Sequence, residues 1–382
     1  MSEPSTVEQA PPPTEPDPPQ PERDRAGALA YLIAHQSAVV IVVALVIALA
    51  IGAVLIRYQG VNPWYAYETL LREALVYPGA FTRTLQKTAP LVLTGLAVVL
   101  PLRVGLFNIG GQGQFAMGAI MGAWVAYLAG GAGFLGAILG MVVGIVFGGL
   151  VGWLVGVLKA YRGVHEVIST IMLNYIVAGV TFWLVVGPLQ AERSKTSGIP
   201  QTEPIPESAQ LGSVAGVPLG FVIAVVLAVL CWWMLARTTL GFRFNTVGSN
   251  RSAAGYAGIN INRIVIVSLV LGAGLAGLGG ALEAEGTLHR FEPAIVGSLG
   301  FDGITIALLA RANPLATIPA AFLVGVLRTG AAGLQFSTGI APEIVDLLLA
   351  IILLMVSIPV LGKWIFRSRA DKVSVASTSW GS

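Results

Sequence analysis

The sequence predicts an all-α, polytopic membrane protein of about ten transmembrane helices, with broken or short helices in each half. Three observations carry that expectation. Of the 382 residues, 55% are hydrophobic and only 11% charged, and the mean hydropathy is +0.80. Apolar runs repeatedly approach the ~20 residues that a helix needs to cross a bilayer. Lys and Arg gather in the short connections between those runs, as the positive-inside rule requires of cytoplasmic loops.

Taken in order, residues 1–25 are dominated by Pro, Glu and Asp. They hold too few apolar side chains to offset the entropy of ordering, so a disordered cytoplasmic tail is expected. No basic start followed by a short apolar core and a small-residue cleavage site is seen, which argues against a cleaved signal peptide. The transmembrane domain is expected over 26–363, with its first span near 28–56, and a cytoplasmic tail over 364–382. Between Gln59 and Gln86, Trp64, Tyr65, Tyr67 and Tyr77 alternate with Glu68, Arg72, Glu73 and Arg83. That mixture suits an amphipathic helix lying in the membrane interface. A second span is expected from Thr88 to Arg103, and a third ending near Ala129.

The fourth span, Phe134 to Leu158, carries Gly136, Gly140, Gly144, Gly148, Gly152 and Gly156. Four-residue spacing puts these on one smooth face against which a neighbouring helix can lie closely. After Lys159 and Arg162, a fifth span runs from His165 to Gly187, followed by the longest polar loop, 188–217. The sixth span, Leu219 to Ala236, leads into a connection with Arg237, Arg243, Arg251 and Arg263 and no acid, which is expected in the cytoplasm. The seventh span, Ile264 to Leu282, precedes Glu283, Glu285 and Glu292 against Arg290, a balance expected outside. Three apolar pieces follow, at Phe301–Ala310, Leu315–Gly333 and Ile344–Leu361, and then a basic tail. Counting crossings puts both termini in the cytoplasm and the chain in the cytoplasmic membrane. The segment 57–87, external by this count yet basic, resists the pattern.

Two stretches do not read as plain spans. The first, Leu106–Gly118 (LFNIGGQGQFAMG), holds Asn108, Gln112 and Gln114 among glycines. Unsatisfied polar groups in hydrocarbon cost several kcal/mol each, roughly, so the stretch is either a loop between spans or the lining of a path. The second, Gly297–Asn313 (GSLGFDGITIALLARAN), carries Asp302 and Arg311, and charges at bilayer depth cost at least about 2.5 kcal/mol. Broken segments at corresponding places in two halves point to a translocation site, because half-helix ends offer backbone groups to a polar solute. The alternative is that both merely mark span ends. Asn174, eight residues after Glu166, lies about two turns inside the fifth span, placed for either an interhelical hydrogen bond or solute contact.

Enzymatic chemistry is not signalled. There is no Gly-x-x-x-x-Gly-Lys-Ser/Thr loop to cradle ATP phosphates. His165 and Glu166 are adjacent, about 100° apart on a helix, and read as residues flanking the fifth span. Cys231, the single cysteine, reads as a packing residue. The small net charge of +3 gives no reason to expect a nucleic-acid partner.

Four pieces in order, LTGLAVVLPLRVGLFNIGGQGQFAMGA, HEVISTIMLNYI, TTLGFRFNTVGSNRSAAGYAGIN and GFDGITIALLARANPLA, carry a resemblance that runs from about Ala89 to Leu361. The chain resembles permease subunits of bacterial ABC importers in the branch that handles branched-chain amino acids, simple sugars and nucleosides, and looks most like the nucleoside type. The resemblance implies a non-enzymatic subunit that pairs with a second, paralogous permease, a cytoplasmic ATPase with two nucleotide-binding halves, and an extracytoplasmic lipoprotein receptor. ATP and Mg would be bound by the ATPase, with no cofactor in this chain; the remaining partners would be the solute and membrane lipid. It also implies ATPase docking on the connection that holds Gly241, Arg243, Arg251, Ala254, Gly255 and Gly258, where a short helix could fit a groove. Where the family often has glutamate, this chain has Gln112, so a charged role there is not supported. Phe107, Asn108, Gln112, Gln114, Asn174, Phe301 and Asp302 are then the candidate pathway residues, with Phe107 and Phe301 available to stack a nucleobase. Nucleoside import is the function implied; sugar or branched-chain amino-acid import, or ion-coupled transport using Asp302 as a proton or cation site, are the alternatives.

Overall fold

A computed structural model describes residues 36–340 and 343–357. The expected tails at 1–25 and 364–382 lie outside them, and the compact unit described below is Ala44–Ile358. Helix α1 (Gln36–Tyr58) enters that unit and turns into α2 (Pro63–Leu71). Asn62 caps α2 by accepting from the Trp64 N–H, and Pro63 fills its first turn, where a missing N–H costs nothing. A π-turn, Arg72–Val76, extends it, and the two arms are bent by 116°. Trp64, Tyr65 and Tyr77 are exposed, while Ala66, Thr69 and Leu70 are buried. This is the half-buried, aromatic-rimmed helix expected of the 59–86 region. The Tyr67 hydroxyl donates to the Leu49 carbonyl at 2.6 Å and ties the bend.

Helix α3 (Ala80–Leu102) is the centre of the bundle, buried along nearly all its length after Leu85. It starts eight residues before the expected Thr88. Lys87, assigned from sequence to an interface connection, lies inside α3 and pairs with Glu283. Helices α4 (Gly111–Leu128), α5 (Phe134–Arg162) and α6 (Glu166–Val186) follow. The six glycines of the α5 stripe are all buried. A Cβ on Gly144 would lie 2.7 Å from the Ala281 Cβ, and one on Gly156 2.9 Å from the Ile266 Cα, so the stripe is the seat of a close crossing. At the turn into α6, Lys159 and Glu166 pair at 2.6 Å, and His165 caps the helix through the Val167 N–H.

The polar loop is ordered. It holds a short helix α7 (Glu192–Ser197) and a two-stranded antiparallel hairpin, β1 (Ser213–Val214) and β2 (Val217–Pro218). Backbone bonds join it to the chain beyond the seventh span, from the Ile205 N–H to the His289 carbonyl and from the Leu211 N–H to the Glu285 carbonyl. Helix α8 (Leu219–Arg237) leads to α9 (Thr239–Ser249) and α10 (Arg251–Tyr256), then to α11 (Ile261–Glu283) with its π-turn Ala284–Leu288. Helix α11 packs most extensively on α5, and then on α3 and α4. Glu283 and Glu285 are fully buried, which corrects their reading as charges of an exposed outer loop. Glu283 is matched by Lys87, whereas the Glu285 carboxyl has no hydrogen-bond partner among the described residues.

The chain closes with α12 (Pro293–Val296), α13 (Leu299–Leu309), α14 (Thr317–Thr338) and α15 (Glu343–Ser357). Six helices are long and apolar enough to cross a membrane: α3, α5, α6, α8, α11 with its extension, and α14; the bent α1–α2 pair makes a seventh if counted as one span. The expected count of about ten is not reached by this measure among the described residues, and α13 gives one physical reason. Its 11 residues rise only about 16 Å, half of a ~30 Å hydrocarbon core.

Candidate solute pathway

Helix α4 starts late. After α3 ends, Gly105 lies beside Gly248 of α9, at the end of the bundle that also carries Arg162, Arg237 and Arg263. The chain then runs inward before α4 begins at Gly111. There the Gly113 N–H donates to Asn174 Oδ1 at 2.8 Å. Asn174 lies eight residues along α6, about 12 Å from its start. Helix α13 meets the same level from the other half of the chain. A Cβ on Gly111 would come within 2.9 Å of the Gly300 carbonyl oxygen, and one on Gly300 would strike the Gln112 backbone. Only two glycines permit this crossing. Two helix N-termini, each with backbone N–H groups unsatisfied by its own helix, therefore converge inside the bundle.

Neutral amides knit the first break. Asn108 and Gln114, both fully buried, exchange two hydrogen bonds, Nδ2 to Oε1 at 2.9 Å and Nε2 to Oδ1 at 3.0 Å. Asn108 also accepts from the Gly110 N–H and donates to the Ala97 carbonyl of α3. Asn174 Nδ2 donates to the Ile109 carbonyl at 3.0 Å. Gln112 joins the two breaks: its Nε2 donates to the Gly297 carbonyl at 2.6 Å and its Oε1 accepts from the Gly300 N–H at 2.9 Å. An ionised glutamate could accept from Gly300 but could not donate to Gly297. The Gln112 amide makes both bonds of this junction at once.

The second break is knit by charge. Arg328 of α14 grips Asp302 with two bonds of 2.9 Å, to Oδ1 and Oδ2, donates to Ser298 Oγ at 2.6 Å, and pairs with Asp346 of α15 at 2.7 Å. Both Asp302 oxygens are engaged, so the carboxylate is fixed as an ion-pair partner. Arg311, raised from sequence as a second charge at depth, is exposed beyond the end of α13. It and Ala312 have positive φ, 50° and 55°, and Arg103 Nε donates to the Ala312 carbonyl at 2.9 Å.

A cavity of about 410 Å³ lies against the α4 N-terminus, lined by Gln112, Asn174, Thr181, Phe182 and Phe291 among others. That size falls within the range of small-molecule sites, about 300–1,000 Å³. Of the sequence candidates, Gln112 and Asn174 line it. Asn108 and Gln114 hold the break behind it, and Phe107, Phe301 and Asp302 are not among its lining residues. Sequence reasoning missed Thr181, Phe182 and Phe291. The first two carried a usable signal, since Asn174, Ala178, Thr181 and Phe182 stand at i, i+4, i+7 and i+8, one face of a helix. Phe291 did not: it is placed by the polar loop, its N–H donating to Thr202 Oγ1 and its carbonyl accepting from the Thr202 N–H, both at 3.0 Å.

Of the residues expected at the ATPase, Gly241 and Ala254 are buried within the chain. Gly241 packs into the α8 backbone at Leu235. Arg243, Arg251, Gly255 and Gly258 are exposed, as is Tyr256, and Gly258 turns the chain at φ +77°.

Apolar helices long enough to cross a membrane enclose the late-starting α4 and the half-length α13, whose N-termini meet beside a small-molecule cavity, an architecture suited to a multi-pass membrane permease. The chain belongs to the family described as branched-chain amino acid transport system / permease component, which matches residues 80–357, and it is the transmembrane permease subunit of an ABC transporter. It is 34% identical to the guanosine ABC transporter permease protein NupP of Bacillus subtilis over 82% of this chain and 91% of that protein. It is 34% identical to the nucleoside ABC transporter permease protein NupB of Lactococcus lactis over 89% of this chain and 96% of that protein. A third relative, the glucose ABC transporter permease protein TsgB13 of Haloferax volcanii, is 32% identical over 80% of this chain and 83% of that protein. More distant permeases of the first two organisms, NupQ and NupC, match at 24% and 26% identity. No solved structure matches the chain.

Proposed function

We propose that this permease imports nucleosides across the cytoplasmic membrane by alternating access, driven by ATP hydrolysis in a separate subunit. The observation that carries the substrate is the similarity, over more than four-fifths of the chain, to permeases named for guanosine and for nucleosides. The cavity supports it: Phe182 offers an exposed ring for a base, with buried Phe291 in the wall, and Gln112, Asn174 and Thr181 add polar groups. The presence of two matching permeases in each of two organisms supports pairing with a paralogue. The exposed tip of α10, Arg251 to Tyr256, is the surface for the ATPase, and a lipoprotein receptor delivers solute at the opposite end. Uptake of labelled guanosine, uridine and glucose in a strain lacking the chain, with and without restoration, tests the reading. Restored guanosine or uridine uptake that requires ATP supports it. Restored glucose uptake alone would overturn the substrate in favour of the sugar reading, which the Haloferax relative favours. At α10, Gly255 is exposed and a Cβ there meets only Ile261 at 3.7 Å; Gly255→Trp should abolish uptake while the assembled ATPase still turns over, and full uptake refutes the docking site.

A further inference from the structure

Two more cavities adjoin each other along α11. One, about 550 Å³, is an almost wholly apolar groove between α5 and α8, floored by α11, with Gly149, Trp153, Cys231, Met234, Val270 and Leu271 in its lining. The other, about 420 Å³, is a polar cleft lined by Thr239, Arg243, Asn260, Arg263 and Ile264. Arg263 of the cleft and Val270 of the groove are seven residues apart on one helix, two turns and about 10 Å along the same face. At the same end Arg237 closes α8, one turn past Met234. No Asp or Glu occurs between Arg237 and Arg263.

We propose that cleft and groove together hold one anionic phospholipid, an acyl chain lying between α5 and α8 and the phosphate taken by Arg263, which lines the cleft. The groove opens to the bilayer: Leu150 and Trp153 on its rim are exposed. It shares no helix with the pathway cavity, which is built on α4, α6 and the 291–297 segment. Apolar lining alone cannot select a lipid, because neighbouring tails are equally apolar. Selection rests on Arg263, which favours an anionic headgroup by about fivefold.

The test uses Trp153 as reporter. The full chain, purified with its native partner subunits, is reconstituted into vesicles of rising content of phosphatidylglycerol or phosphatidylcholine with brominated chains. The Trp153 signal is the difference from Trp153→Phe. Half-quenching at about fivefold lower mole fraction of phosphatidylglycerol is expected, with Arg263→Gln bringing the two lipids together. Gly149→Leu fills the groove, where a Cβ meets Val270 at an ordinary 3.6 Å, and should protect Trp153 from both lipids. Equal quenching by the two lipids in the unsubstituted chain overturns the headgroup site. Absence of Trp153 quenching there shows that protein covers the groove and overturns the proposal altogether.

Discussion

The two broken segments of this permease solve one problem with different chemistry. Each ends a helix inside the bundle and must satisfy the groups left at the break. At Leu106–Gly118 the partners are neutral: Asn108, Gln114, Asn174 and Gln112 share donors and acceptors with the backbone. At Gly297–Asn313 the partner is a guanidinium between two carboxylates. The amide-knit break lines the cavity, and the Asp302–Arg328 pair does not. The cavity beside the first break thus presents groups that can hydrogen-bond without imposing a charge, while the ion cluster fixes α13 to α14 and α15.

The largest effect should come from splitting the ion cluster. Arg328→Leu leaves Asp302 buried without its partner, a loss of about 3–5 kcal/mol, read as a collapse in thermal stability in detergent. Asp302→Asn added to it should return part of that stability; if the double variant is no better than the single, the charge pairing is not what Arg328 contributes. Next is Gln112→Ala, which removes both bonds of the junction and leaves the N–H of buried Gly300 without its acceptor, about 1–3 kcal/mol. Uptake should fall more than stability, because the junction borders the cavity; an equal fall in both would make Gln112 purely structural. Smallest is Gln112→Glu, which keeps the acceptor and loses the donor, about 1 kcal/mol. Uptake between that of the parent and of Gln112→Ala is expected, and uptake at or below that of Gln112→Ala would mean that the charge itself is excluded.

Much of this was legible in the sequence because it rests on residue types that have few other uses in a span. The glycine stripe of α5, both broken segments, the flanking role of His165 and a half-buried, aromatic-rimmed helix near Trp64 all followed from local pattern. What stayed hidden depends on partners distant in the chain. Lys87 and Glu283 are 196 residues apart and read separately as surface charges at two connections. Arg328 sat unremarked within an apolar run, although a lone arginine at span depth is itself a signal for a buried counter-ion. Gln112 was recognised as a departure from the family pattern, but its need to donate as well as accept becomes visible only when Gly297 and Gly300 stand beside it.

The Gly111–Gly300 crossing separates two kinds of change open to this protein. Backbone lies against backbone there, so no side chain can be introduced at either position without forcing the half-helices apart. Phe182 and Thr181, two turns away on α6, face the cavity and take no part in the crossing. Preference for a cargo can therefore drift through α6 while the junction that keeps the two halves in register stays as it is.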